Sequence, residues 1–171
     1  ASGEFVSNAN VDDRRSLQQL EMFANELVNN PDIDLIYSDC LVTHQPNETY
    51  PQNSSGGEVY PIADFTPENM IKCLPGCMPL WRKSMHDGVG TFNDKYKFAG
   101  DWDMWLRAVR NGSRFKRVES AHGLYYFNPE GLSTDKTRES QKLEEERTIF
   151  HEYIDVFGQK NYNQYKKYFS Q

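Results

Sequence analysis

The feature that most constrains the fold is a succession of four segments at the start of the sequence. Residues 4–8 are apolar enough for a short strand, and residues 10–13 form an acidic loop. Residues 16–29 have helical periodicity, and residues 33–38 are rich in the β-branched and aromatic side chains typical of a strand. A strand, loop, helix and strand in this order predict an α/β fold.

The first helix is predicted in most detail. Ser16 followed by Gln19 has the spacing of a capping box, and Pro31 follows the predicted end of the helix. Apolar residues that repeat at helical spacing predict its buried face, and they are Leu17, Leu20, Phe23 and Leu27.

The rest of the chain predicts more of the same fold class. Residues 45–58 are polar and read as a loop, and residues 101–110 form a well-defined amphipathic helix. Further strands are predicted at residues 78–82, 115–118 and 123–127, with short helices at 67–73 and 83–87. We therefore expect one domain over residues 1–171: a mixed sheet flanked by helices, followed by C-terminal helices at 136–171. One long helix is expected over residues 134–157, with a last helix after it.

Composition excludes several classes of protein. The net charge is −6 and there is no run rich in lysine and arginine, so nucleic-acid binding is not expected. No apolar stretch approaches the roughly 20 residues of a membrane-spanning helix. Cys40, Cys73 and Cys77 are an odd number of cysteines and predict no disulfide framework. We expect thiols in a reducing compartment and a cytoplasmic location, including the inner face of the membrane.

The first candidate site is the acidic loop. Asp12 and Asp13 stand after a strand and before a helix, where open α/β sheets bind ligands. Paired carboxylates suit Mg²⁺ or Mn²⁺, which substrate phosphates then help to coordinate. The structural alternative is that these residues form a turn or cap the helix.

The second candidate site is the start of the helix at residue 101. Asp101 lies beside Trp102 and could act as a general base. The helix N-terminus would lower its pKa, whereas burial beside aromatic rings would raise it, and the sequence leaves this balance open. Alternatively, Asp101 is only the N-cap of the helix.

The third candidate is the segment at residues 75–82. Gly76 permits a close approach of the backbone to a ligand, and Trp81 and Arg82 could hold a sugar ring or a phosphate. A strand with a core tryptophan is the alternative. The fourth candidate is the segment at residues 125–133, a strand that ends in a turn before the predicted long helix, where a loop could reach the phosphates of a donor.

Taken together, the order and spacing of these segments resemble the later part of family 2 glycosyltransferases, which have the GT-A fold. The resemblance is carried by residues 1–6 (ASGEFV), 10–13 (NVDD), 76–83, 98–107 (FAGDWDMWLR) and 126–133. Residues 98–107 are its most specific part, and the resemblance covers most of residues 1–135.

The resemblance implies a glycosyl transfer with inversion, from a nucleotide-sugar donor to a hydroxyl of a carbohydrate or lipid-linked acceptor. It implies that Asp12 binds a divalent metal, Mn²⁺ or Mg²⁺, with the help of Asp13, and that Asp101 is the catalytic base. Trp81 and Trp102 would shape the sugar site. Asn10, Gly76, Arg82 and Asn128 complete the predicted donor and acceptor contacts.

Three departures from the family pattern bear on this reading. Asn10 stands where the family often has the first aspartate of its metal motif, Gly100 replaces an acidic residue, and Asn128 stands where many members have histidine. The strand-helix-strand unit that binds the nucleotide in the family has no counterpart here, so we expect a piece of a longer enzyme that self-associates through an exposed edge. The alternative function is a non-catalytic carbohydrate-binding or interaction module that reuses the fold.

Overall fold

The fold is built on a six-stranded mixed sheet. It comes from a computed structural model that describes residues 1–132 and 134–169. The strands are β1 (Phe5–Ser7), β2 (Arg14–Arg15), β3 (Leu35–Thr43), β4 (Val59–Tyr60), β5 (Leu80–Arg82) and β6 (Phe115–Tyr126). Their order is β1-β5-β3-β6-β2, with β4 paired to β3. Together with the flanking helices, this sheet confirms the predicted α/β fold class.

The centre of the sheet is the long parallel pair β3 and β6. Leu35 lies opposite Phe115 at one end of the pair, and Thr43 lies opposite Tyr126 at the other. The register shifts on both sides of Asp39 in β3. The facing stretch of β6 contains Ser120, which has a positive φ of 81°. This irregularity explains why the sequence predicts two strands where the structure has one: β6 bulges without breaking.

The first helix, α1 (Gln19–Asn29), ends where the sequence predicts but begins differently. Its N-cap is Gln18, and no side chain caps it, so the predicted capping box at Ser16 is wrong. The chain at Ser16 is held by the sheet instead, since its backbone N–H donates to the carbonyl of His122 at 2.8 Å. Leu17 and Leu20 are consequently exposed, whereas the predicted core residues Phe23 and Leu27 are fully buried.

The middle of the chain follows the sequence prediction closely. The polar segment at 45–58 is a loop, a short 3₁₀ helix forms at Glu68–Ile71, and α2 spans Met85–Val89. Helix α3 spans Gly100–Arg110. Its buried residues include Trp102, Trp105 and Leu106, as expected of the predicted amphipathic helix.

The C-terminal region is helical, but the single long helix predicted over residues 134–157 is wrong. A 3₁₀ turn at Lys136–Arg138 leads into α4 (Glu139–Glu152), and α5 (Ile154–Tyr165) follows a break at Tyr153. Within α5, Gly158 has non-helical angles with φ of 79°. The break at Tyr153 lets the rings of Phe150 and Phe157 stack in the core with their centroids 5.5 Å apart. In one straight helix, seven residues would separate them by about 10.5 Å along the axis.

Two apolar clusters lie on opposite faces of the sheet. The larger cluster packs α3, α4 and α5 onto one face, and the smaller cluster packs α1 onto the other through Phe23 and Leu27. In residues 1–132 and 134–169, no helix combines the length and apolarity needed to cross a membrane.

Candidate active site

The acidic loop is held in place from within. Asp13 is only 4% exposed, and its carboxylate accepts hydrogen bonds from the backbone N–H of Tyr126 at 3.1 Å and from Asn10 Nδ2 at 2.6 Å. Asn10 Nδ2 also donates to the carbonyl of Cys77 at 3.1 Å, as does Asn8 Nδ2 at 3.0 Å. The loop is thereby tied to the end of β6 on one side and to the segment before β5 on the other.

Burial dominates the electrostatics of Asp13. Desolvation raises the pKa of its carboxyl, and the hydrogen bonds from Asn10 and Tyr126 offset part of this rise. The neighbouring negative charge of Asp12 also raises the pKa. Asp13 therefore serves chiefly to anchor the loop.

Asp12 differs from Asp13 in its exposure to solvent and in its hydrogen-bond partner. Its side chain is exposed, and its carboxylate Oδ2 lies 3.5 Å from Asn128 Nδ2. The structure therefore brings together Asp12 and Asn128, two residues that are 116 positions apart in sequence. Ser133, the last residue of the segment predicted to resemble a donor loop, lies outside the described residues.

The side chains of the acidic loop could hold a metal ion only if a substrate supplied the remaining ligands. Among the described residues, no group of three or more histidine, cysteine, aspartate or glutamate side chains could hold a metal ion. Magnesium sites of enzymes commonly use one or two carboxylates and fill the remaining positions with water and phosphate oxygens. The exposed carboxylate of Asp12 fits that description, with Asp13 directly behind it.

Asp101 lies in the first turn of α3 and is not its N-cap. The N-cap is Ala99, whose side chain provides no capping oxygen. Asp101 Oδ1 accepts the N–H of Trp102 at 2.8 Å, and Asp101 Oδ2 lies 3.6 Å from the thiol of Cys73. The side chain retains contact with solvent.

The surroundings of Asp101 resolve the balance that the sequence leaves open. Desolvation by the densely packed groups around the carboxyl raises its pKa, and the hydrogen bonds from Trp102 and Cys73 offset only part of this. The positive charge of Lys142 lowers it slightly. Desolvation also raises the pKa of Glu146, with Asp101 as one of its negative neighbours. A carboxylate with a raised pKa is a stronger base.

Helix α4 supplies the cap that α3 lacks. The carboxylate of Glu145 accepts three backbone N–H groups from the turn before α3: Lys97 at 2.9 Å, Phe98 at 2.7 Å and Ala99 at 3.0 Å. Amide groups at a helix start have no partner within the helix, and a carboxylate satisfies them well. Sequence reasoning missed Glu145, because it lies 46 residues beyond Ala99 and inside what reads as an ordinary charged helix face.

One short segment connects the two carboxylate centres. Cys73 contacts Asp101, and Cys77 accepts from Asn10 through its carbonyl oxygen. Four residues of extended chain span at most about 14 Å. The acidic loop and Asp101 therefore flank the same segment of the protein.

Three of the predicted sugar-binding side chains occupy structural positions instead. Trp81 is 3% exposed, and its indole N–H donates to His86 at 3.0 Å. Trp102 is 6% exposed, and its indole N–H donates to the carbonyl of Met70 at 2.8 Å. Arg82 donates from Nε to the carbonyl of Ile33 at 2.9 Å and so bridges β5 to the chain before β3. The two indole rings are buried, and the Arg82 side chain is partly exposed.

Gly76 is required by a turn. Its φ is 63°, and a Cβ there would lie 2.7 Å from Cδ1 of Ile62. The close approach predicted for Gly76 is therefore made to a side chain of the same protein. Of the nearby cysteines, Cys73 contacts Asp101 and Cys77 contacts Cys40.

A cleft of about 510 Å³ opens beside the Asn128 turn. It is lined by Phe127, Pro129, Glu130 and residues 134–137. Its volume lies in the range of small-molecule sites in proteins. The cleft thus adjoins the turn whose asparagine faces Asp12.

The chain is similar to a known glycosyltransferase in sequence and to solved structures in fold. No protein-family profile matches the chain. It is 26% identical over 139 residues to the uncharacterized glycosyltransferase YwdF of Bacillus subtilis (strain 168), a match that covers 77% of this chain and 48% of that protein. The chain thus spans about half the length of this relative.

Solved structures share the fold. A crystal structure of S. aureus TarS matches 91% of this chain with a TM-score of 0.57 and 18% identity, and 26% of that chain is covered. The structure of TarS 1–349 matches with a TM-score of 0.58 and 19% identity, covering 42% of that chain. The predicted fold and the predicted resemblance to glycosyltransferases are both confirmed by these likenesses.

Proposed function

We propose that this chain forms the acceptor-side part of an inverting, metal-dependent glycosyltransferase of the family 2 type. The reaction is the transfer of a sugar from a nucleotide-sugar donor to a hydroxyl of a carbohydrate or lipid-linked acceptor. The observation that carries the proposal is the segment at residues 73–77, which contacts Asp101 at one end and Asn10 of the acidic loop at the other. In an inverting transfer the base and the diphosphate site must lie on opposite sides of one anomeric carbon, and this segment lies between the two candidate positions.

Asp101 is the base in this proposal. The acceptor oxygen forms a bond to the anomeric carbon, the bond from that carbon to the diphosphate breaks, and Asp101 takes the proton of the hydroxyl. Desolvation supports this role because it raises the pKa of Asp101 and so strengthens the carboxylate as a base. Access to solvent leaves room for an acceptor hydroxyl to approach.

The donor diphosphate would bind at the acidic loop. Asp12 offers the accessible carboxylate for Mg²⁺ or Mn²⁺, Asp13 holds the loop, and Asn128 offers an amide beside Asp12. A bound divalent ion would neutralise negative charge on the leaving diphosphate. The cleft beside Asn128 provides space for the remainder of the donor or for the acceptor.

The test uses the intact protein that contains this chain and a panel of UDP-, GDP- and dTDP-sugars. Asp101→Asn should abolish transfer while donor binding, measured by calorimetry, is kept. Asp12→Asn should remove the metal dependence of donor binding. Asp94→Asn, at an exposed aspartate close to α3, is the matched control and should leave both unchanged. Normal transfer by Asp101→Asn would refute the assignment of the base.

A non-catalytic carbohydrate-binding module is the second candidate, and the hydrogen bonds of Asn10 favour it. Its Nδ2 donates to Asp13 and to the carbonyl of Cys77, and an aspartate at this position could make neither bond when ionised. The loop is therefore adapted to a neutral residue where the resembled family often has a charged ligand. Metal-independent sugar binding without any transfer, by the intact protein, would favour this candidate.

A further inference from the structure

Two of the three cysteines meet across the protein. Cys40 on β3 and Cys77 in the segment before β5 place their sulfur atoms 3.0 Å apart, although they are 37 residues apart in sequence. Cys40 is buried, whereas Cys77 is partly accessible. Cys73, the third cysteine, is exposed and contacts Asp101 instead. The two sulfurs are within reach of a bond, and the accessible one can react first with a small disulfide.

The space that the two sulfurs share is made by a glycine. Gly123 on β6 lies opposite Cys40 in the sheet. A Cβ on Gly123 would lie 3.1 Å from Cys40 Sγ and 3.3 Å from Cys77 Sγ, tighter than ordinary contacts. Both sulfurs therefore pack over the one position of β6 that has no side chain.

We propose that Cys40 and Cys77 form a reversible dithiol–disulfide pair, oxidised by low-molecular-weight disulfides of the glutathione type. Cys77, the accessible member of the pair, loses its thiol proton as it attacks the small disulfide, which forms a mixed disulfide and releases one small thiol. The thiolate of Cys40 then attacks the Cys77 sulfur, which closes the internal disulfide and releases the second small thiol. The protein loses two electrons and two protons, and one small disulfide becomes two thiols.

Little movement is needed to form the disulfide between Cys40 and Cys77. The sulfur–sulfur distance must shorten from 3.0 Å to about 2.05 Å. The bond would close a loop that contains the polar segment at residues 45–58 and the contact of Cys73 with Asp101. It would also fix the Cys77 carbonyl, which accepts from both Asn8 and Asn10, and so would hold the acidic loop. The redox state would therefore act on both sides of the candidate active site.

The experiment treats the reduced wild-type chain with glutathione disulfide. Thiols are then counted in denaturant, and the peptides are mapped by mass spectrometry. We expect the count to fall from three to one, with a peptide that links Cys40 to Cys77, with Cys73 left as the free thiol and with no glutathione retained on the linked pair. The melting temperature of the oxidised chain should rise by roughly 10 °C, because the loop is constrained in the unfolded state. Dithiothreitol should reverse both changes.

Two variants separate the steps. Cys40→Ser should trap glutathione on Cys77, because the second thiol is absent. Cys73→Ser should oxidise like the wild type and end with no free thiol. Three free thiols after the wild type has been treated, glutathione retained on its Cys77, or a link that includes Cys73 would each overturn the proposal. The wild-type measurement needs no substitution, so a folding defect in a variant cannot obscure it.

Discussion

Removal of the Glu145 carboxylate should destabilise the start of α3 and with it the position of Asp101. The carboxylate accepts three backbone N–H groups, of which those of Phe98 and Ala99 are partly buried and that of Lys97 is exposed. Hydrogen bonds to a charged group contribute about 1.5–3 kcal/mol when buried and less when exposed. We count the two partly buried bonds at the low end of this range. Glu145→Ala should then lower the free energy of unfolding by about 2–4 kcal/mol.

The variant Glu145→Gln should have an intermediate effect on the free energy of unfolding. Oε1 accepts Lys97, and Oε2 accepts Phe98 and Ala99, so Glu145→Gln keeps one acceptor oxygen of the two and loses the charge. Its loss should be about half that of Glu145→Ala, on the order of 1–2 kcal/mol. The order wild type, glutamine, alanine is expected in urea denaturation followed by circular dichroism.

Glu144→Ala is the matched control. Glu144 is the preceding residue of α4, its side chain is exposed, and the substitution has the same helix propensity and charge change. It should change the free energy of unfolding by less than about 0.5 kcal/mol. Hydrogen exchange localises the effect, since the amides of residues 97–99 should exchange faster in Glu145→Ala only. Equal stabilities of the two alanine variants would refute the capping role of Glu145.

Three further predictions follow from single contacts. Tyr153→Phe should cost about 1–3 kcal/mol in urea unfolding, because the fully buried hydroxyl donates to the buried carboxylate of Asp103 at 2.8 Å; an unchanged unfolding midpoint would contradict this. The pKa of Asp101 is raised in the fold above its unfolded value near 4, so its contribution to stability is complete below about pH 4 and is lost as the pH rises through the folded pKa. Asp101→Asn lacks that loss, and its stability relative to wild type should increase from pH 4 towards neutrality; parallel pH curves would count against it. Gly76→Ala should cost about 2–4 kcal/mol through positive φ and overlap, whereas Gly56→Ala, which has a similar φ of 59° and open space, should cost only about 1 kcal/mol; equal costs would exclude the overlap.

The resemblance of short motifs to a glycosyltransferase reached the fold class, but local patterns misplaced several boundaries. Ser16 has the residue type of a cap, yet its backbone joins the sheet at His122, and no local rule includes that pairing. Leu17 fits the helical stripe by spacing, but the helix begins at Gln19 and leaves it exposed. Such positions depend on contacts with residues about a hundred positions away.

In the candidate site, too, the residue types could be read from the sequence, whereas the burial of their side chains could not. Asp12, Asp13 and Asp101 are predicted as site residues from the sequence, and these roles stay predictions; the structure shows that Asp12 and Asp101 are exposed and that Asp13 is buried. The sequence also predicts that Trp81 and Trp102 shape a sugar site, since the residue type alone does not distinguish a ring that faces solvent from one that fills the core. Burial is a property of the packed molecule, and here it places both rings inside.

Local sequence patterns are sufficient to predict an α/β order, an acidic loop, an amphipathic helix with Asp101 in its first turn and a polar loop at residues 45–58. Which of these elements come into contact depends on tertiary packing. The antiparallel pairing of β2 with β6 brings Asp12 towards Asn128, and the packing of α4 brings Glu145 onto the turn before α3. The physical reason is that a motif reports the local preference of a few neighbouring residues. Distant side chains are brought together by the burial of apolar surface across the whole sheet, which no single segment encodes.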